Sequence, residues 1–239
     1  MKDIDPAGIR ALTFDVFGTV VDWRTSVAEA GRQLARRHGI DLDANEFAEK
    51  WRSGYSGKLA EVNSGQRPRE RLNDLHREIL AEVAPAFGLD HLPDAELDRL
   101  NLVWHHLRAW PDSAHGLWRL RQRYLVCALS NGDSDMLATM GKFARLGWDM
   151  VISVEMANSY KPEPAAYNKA IELVGAQRPD QVLMVAAHAN DLEAARSCGM
   201  RTAFVHRPTE WGPGKEPDDG SGFDLEVPDL VALAEELGI

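Results

Sequence analysis

Residues 12–23 read LTFDVFGTVVDW. The run Ala11 to Phe14 ends in a single carboxylate, Asp15, and an aromatic ring, Phe17, follows two residues later. A short apolar run bounded by turn residues has the pattern of a strand buried on both faces, and such strands belong to parallel sheets. In an open parallel sheet, ligands bind beyond the carboxyl ends of the strands. Asp15 therefore stands where chemistry is expected, although an Asp at a strand end is more commonly a turn former or helix cap.

Similar runs recur. They are YLVCAL before Ser130, VLMVAA before His188, TAFV before His206 and a weaker MVISV at 150–154. Helical patterns at 134–146, 164–174 and 191–199 lie between them. Strands alternating with helices predict an α/β fold with a doubly wound parallel sheet. Residues 24–108 break the alternation and read as amphipathic helices without a convincing strand. In RLNDLHREILAEV, Leu72, Leu75, Ile79, Leu80 and Val83 share one helical face. SVAEAGRQLARRHG ends in a basic turn and Gly39, an ordinary helix stop. The expected organisation is a core of residues 1–23 and 109–239, with an all-helical cap over 24–108 inserted after the first strand. HRPTEWGPGKEPDDGSGFD, residues 206–224, reads as loop.

Composition narrows the partners. A net charge of −10 argues against nucleic acid or anionic lipid, and a small anionic substrate would need local cations. No run approaches the roughly 18 apolar residues of a membrane helix, and MKDIDPAGIR has no signal-peptide core, so a cytoplasmic protein without a membrane partner is expected. Cys127 and Cys198 are expected to be buried free thiols, and His105 and His106 to lie on a helix surface rather than bind metal.

The residues after the strands form one candidate rim. Asp15 follows the first run; Ser130, Asn131 and Gly132 follow the second; SYKPEPAAY supplies Lys161 and Tyr167; His188, Asn190 and Asp191 follow VLMVAA. DVFGT, LSNG, YKP and VAAHANDLEAA, in this order and with a helical insert after the first, resemble the motifs of the haloacid dehalogenase superfamily over nearly the whole chain. The resemblance implies a Rossmann-like core with a mobile helical cap and an active site between them.

Phe17 bears on the reaction. Phosphoryl-transferring members of that superfamily have a second Asp at this position, which protonates the departing oxygen, and an acidic fourth motif that helps hold magnesium. Phe cannot donate a proton, and the motif around His188 and Asp191 lacks an adjacent acidic pair, so no metal and no cofactor are expected. A halide leaves without a proton. A carboxylate of ordinary pKa about 3.9 is ionised at neutral pH and needs no base to attack carbon. Hydrolysis of the resulting aspartyl ester does need one.

The chain resembles the L-2-haloacid, or type II, dehalogenases in the aromatic residue two after the nucleophile, in SNG, and in YKP followed by Tyr. The resemblance implies that Asp15 displaces halide from C2, that Thr19 and Lys161 orient and balance the carboxylates, and that Asp191 activates water. It also implies that Ser130 and Asn131 bind the substrate carboxylate. The family's halide arginine follows a Trp on an early cap helix, which favours Arg52 in KWRSGY; Arg24 in VDWRTS is the rival. Phe17, Tyr167 and Trp23 are expected to form the apolar wall. The fourth motif departs from the commoner Ser, Asn and Trp by having Ala186, His188 and Asn190. This leaves His188 as a second base, a substrate ligand or a structural partner. DWR and TEWGPG resemble a subgroup associated with small, including fluorinated, substrates.

The implied activity is hydrolysis of short 2-haloalkanoic acids, with a metal-dependent phosphatase or a non-catalytic binding protein as alternatives. A homodimer is suggested by relatives alone.

Overall fold

A computed structural model describes residues 4–239. Its first part runs β1 (Ala11–Phe14), β2 (Val21–Asp22), α1 (Trp23–His38), α2 (Ala44–Ser53), α3 (Tyr55–Asn63), α4 (Leu72–Val83), α5 (Asp94–Asn101) and β3 (Arg108–Ala109). The remainder runs α6 (Ser113–Leu120), β4 (Leu125–Ser130), α7 (Ser134–Phe143), β5 (Met150–Ser153), α8 (Pro164–Leu173) and β6 (Val182–Ala186). It closes with α9 (Ala189–Ser197), β7 (Arg201–Val205), β8 (Leu225–Val227) and α10 (Leu230–Glu236).

The main sheet is parallel throughout, in the order β5-β4-β1-β6-β7-β8. All four residues of β1 are buried, as a strand covered on both faces requires. The chain leaves β1 for β4 on one side and later crosses to β6 on the other, so β1 lies at the switch of strand order. Phe14 pairs with Ala128 and Val185 in register, which brings the ends of three strands to one level. Asp15 emerges at their centre.

Helices α1 to α5 form the insert. Asp22 caps α1 by accepting from Thr25 N, and Asp43 caps α2 by accepting from Asn45 and Glu46 N. Their apolar faces meet around Phe47, Trp51 and Trp104, with ring centroids 5.5 and 5.4 Å apart along that series. The antiparallel β2–β3 ribbon pairs Val21 with Ala109 and Asp22 with Arg108, at the two points where the chain enters and leaves the helices. A core residue caps an insert helix: Asp133 accepts from Leu72 N at 3.1 Å and Asn73 N at 2.9 Å, at the start of α4. Asn63 adds a second tie through paired hydrogen bonds, each 3.0 Å, with the backbone of Tyr160.

Some expectations need correction. The sheet has a sixth strand, β8, followed by α10; three residues are too few to display a period. α7 stops at Phe143 because Arg145 is left-handed, and α9 begins two residues before Asp191. His105 is buried rather than on the surface, with its Nε2 3.0 Å from Asn73 Oδ1. Cys198 is only partly buried, since it ends α9 where the helix meets solvent; Cys127 is fully buried, and burial pushes its thiol up to about 12. Among the described residues no helix is long and apolar enough to cross a membrane.

Candidate active site

Asp15 is held in place by bonds within the chain. Its backbone N donates to Val185 O at 3.0 Å. The chain then turns back on itself: Gly18 takes φ +88°, and Val20 N and Val21 N both donate to Val16 O. That turn returns Thr19 to the carboxylate. Thr19 Oγ1 donates to Asp15 Oδ2 at 2.8 Å and accepts from Ala187 N at 2.9 Å. Arg207, paired with Asp112, holds the Thr19 carbonyl at 2.8 Å.

Lys161 arrives from the loop after β5. Its Nζ donates to Asp15 Oδ1 at 2.8 Å and to Asp191 Oδ2 at 2.5 Å. All three side chains are more than nine-tenths buried. Burial alone would raise the Asp15 carboxyl; the Lys161 charge and the His188 hydrogen bond outweigh it and hold Asp15 well below the usual range. Burial raises Asp191, Lys161 opposes, the Asp15 charge adds, and the net direction is upward. Environments that push two neighbouring carboxyls apart suit one as nucleophile and the other as base. Tyr167 donates to Asp191 Oδ1 at 2.5 Å, so its hydroxyl serves the second acid rather than an apolar wall.

His188 stands on the other side of Asp15. Its Nδ1 is 3.1 Å from Asp15 Oδ2, and its Nε2 is 3.0 Å from both oxygens of Glu210. Neither nitrogen is left for a base or a substrate ligand unless one of those bonds breaks. Glu210 also accepts from Trp23 Nε1 at 3.0 Å. Trp23 is buried against Trp211, 5.3 Å between rings, so it packs the support of the site.

These groups face a cavity of about 990 Å³ between the sheet rim and the insert, within the range of small-molecule sites. Asp15, Lys161, Asp191, Tyr167 and His188 line it, with the exposed Asn190 at its edge. Phe17 and Arg52 face them. The Arg52 guanidinium lies 3.9 Å over the Tyr55 ring, 5.6 Å from Trp23 and 5.8 Å from Phe17. Its Nη1 is buried with no hydrogen-bond partner among the described residues. Asn131 positions both sides of the cavity: its Nδ2 donates to Tyr55 Oη at 2.9 Å and its Oδ1 accepts from Lys161 N at 2.8 Å. Asn131 itself lines the cavity, and these bonds use one of its two amide N–H groups and one lone pair of its carbonyl.

Two expected residues lie elsewhere. Arg24 donates to Glu49 at 2.9 and 2.6 Å and packs against Gly212, outside the cavity lining, because the first turn of α1 points it at α2. Ser130 is fully buried and absent from the lining, and its Oγ accepts from Gly132 N at 3.2 Å. Sequence reasoning missed Glu210, which reads as a solvated acid in a Pro- and Gly-rich loop. Tyr55 was findable, since it lies three residues after Arg52. His76, stacked between Tyr55 and Trp104 with burial holding its ring neutral, carries no sequence signal.

The family model of haloacid dehalogenase-like hydrolases matches residues 9–199. (S)-2-haloacid dehalogenase 1 of Pseudomonas sp. (strain CBS-3) is 30% identical, across 95% of this chain and 98% of that protein. The crystal structure of a defluorinating L-2-haloacid dehalogenase superposes with a TM-score of 0.92 at 39% identity, covering 96% of this chain and 95% of that one. A second L-2-haloacid dehalogenase structure gives 0.91 at 40% identity, covering 96% and 98%. The chain therefore belongs to the haloacid dehalogenase superfamily of hydrolases, in its L-2-haloacid dehalogenase family.

Proposed function

We propose that this protein is an (S)-2-haloacid dehalogenase. It hydrolyses haloacetates and short L-2-haloalkanoates to 2-hydroxy acids and halide, with inversion at C2, through an ester on Asp15. One observation carries the reading: Lys161 holds Asp15 ionised while Phe17 occupies the position from which a departing oxygen would need its proton. At about 4 Å and an effective dielectric of 20, such a pair is worth on the order of 4 kcal/mol, enough to keep the nucleophile charged inside the protein.

Asp15 displaces the halide in line. Arg52, whose guanidinium lies 5.8 Å from the Phe17 ring and whose buried Nη1 has no partner among the described residues, supplies the positive, partly dry cradle that a leaving anion requires. Asp191 takes a proton from the water that hydrolyses the ester. Its raised carboxyl range suits a base. We take residues 24–108 as the cap and residues 1–23 with 109–239 as the core. The reaction runs without a metal: Lys161 already bridges the two carboxylates that a divalent ion would need.

Halide release from chloroacetate and L-2-chloropropionate, measured with excess chelator, tests the proposal. Stoichiometric chloride with D-lactate as product supports it. No chloride, together with magnesium-dependent release of phosphate from phosphate esters, would favour a phosphatase instead.

A further inference from the structure

His188 is gripped from both sides by acids. A neutral imidazole has one N–H and one lone pair, so either the contact with Asp15 or that with Glu210 would set a lone pair against a carboxylate oxygen. Only the imidazolium donates to both. Glu210 is 2% exposed and cannot swing away, since Trp23 holds it and the turn at Gly18 encloses it. A Cβ on Gly18 would stand 2.1 Å from Glu210 Oε1, so the glycine after Phe17 leaves the space this carboxylate fills.

Building on the dehalogenase reading, we propose that Glu210 is a positioning residue that keeps His188 an imidazolium aimed at Asp15 Oδ2, so that His188 and Thr19 polarise the aspartyl ester during its hydrolysis. Oδ1 of Asp15 meets one donor, Lys161, whereas Oδ2 meets two, Thr19 and His188. The less encumbered Oδ1 attacks C2, and Oδ2 becomes the ester carbonyl. Water then adds to Cγ, its proton passes to Asp191, and the carbonyl π pair moves onto Oδ2, where two donors already point. Preset donors of this kind are the largest single contribution in many acyl-transfer sites. When the pair returns, the Cγ–Oδ1 bond breaks and the product alkoxide recovers the proton from Asp191. The proton of the new carboxyl leaves to solvent.

The electrostatics run the same way. Burial lowers the His188 range, but the Glu210 charge and the hydrogen bonds to Asp15 and Glu210 outweigh it and raise His188 to about 10. The other charged groups on this cavity are Lys161 and Asp191, bridged to each other, Arg52, and the exposed carboxylates Glu163, Glu193 and Asp218.

Glu210→Gln keeps the shape and removes the charge. With chloroacetate, a stopped-flow burst reads the first step and later turnover reads ester hydrolysis. The burst should stay within about threefold of native while turnover falls ~10- to 100-fold, with the ester on Asp15 visible by intact mass. Turnover of the variant should also decline from about neutral pH upward, where His188 loses its proton. Glu210→Asp should recover part of the loss. Unchanged turnover and pH profile, or equal loss of burst and turnover, would overturn the inference. Histidine-labelled native enzyme supplies a check that needs no variant: at about pH 8 the His188 signals should be those of imidazolium, and a neutral ring there would equally overturn it. A native enzyme that releases no halide at all would overturn the dehalogenase reading itself, and this inference with it.

Discussion

Lys161 donates to Asp15 across 146 residues of chain, at 2.8 Å and under a tenth exposed, and the same ammonium reaches Asp191 at 2.5 Å. Replacing it with Met removes the one positive charge between two buried carboxylates. Breaking a buried pair this way costs about 3–5 kcal/mol. Lys161→Met should therefore lower the midpoint of chemical denaturation and cut halide release by at least about a thousandfold. Native-like turnover in a folded variant would count against the assignment.

The two candidate arginines separate by substitution. Arg52 lines the cavity and stacks on Tyr55, with its Nη1 buried and without a hydrogen-bond partner among the described residues, and an ammonium cannot reproduce a planar stacked donor. Arg52→Lys should lower kcat/KM for chloroacetate by ~10- to 100-fold. Arg24 pairs with Glu49, 31% exposed, outside the cavity lining, an interaction worth about 0–1 kcal/mol, so Arg24→Ala should change kcat/KM by less than about threefold. Steady-state halide assays on both variants decide between them.

Stability should fall on the alkaline side through His188. Its folded range is raised from 6.5 to about 10, so its contribution is complete below 6.5 and is lost as pH climbs toward 10. Asp15 acts oppositely: held below its ordinary 3.8, it contributes above that value and loses the contribution as pH falls. Urea unfolding across this range should show the alkaline decline in the native protein and a flatter limb in Glu210→Gln.

Asp133 ties core to insert by capping α4 with both oxygens. Asp133→Ala leaves two backbone donors without partners and should cost about 1–2 kcal/mol. The KM for small haloacids should rise as well, since α4 carries the aromatic packing beneath Arg52. A differential scan and a KM measurement on one preparation test both.

The strands nearest the chemistry were legible because a parallel strand buried on both faces is an unbroken apolar run, and the rim residues follow such runs directly. Position placed Asp15, Lys161 and Asp191 on the rim, and the resemblance of the motifs around them supplied their expected roles. β8 could not, being three residues of mixed exposure. Glu210 stayed hidden for a different reason: its loop has a solvent-like composition, and only the return of that loop over the turn at Gly18 buries the acid. Ser130 was ambiguous because a hydroxyl at a strand end is equally suited to bonding its own chain two residues on, as it does to Gly132.

The most direct test is a single turnover of excess enzyme with chloroacetate in water enriched in heavy oxygen. If the side chain at position 15 attacks carbon and its ester is then opened at Cγ, one heavy oxygen appears in the peptide that contains Asp15 and the glycolate stays unlabelled. Label in the glycolate with none in that peptide would mean that water attacks the substrate itself, and would contradict the account.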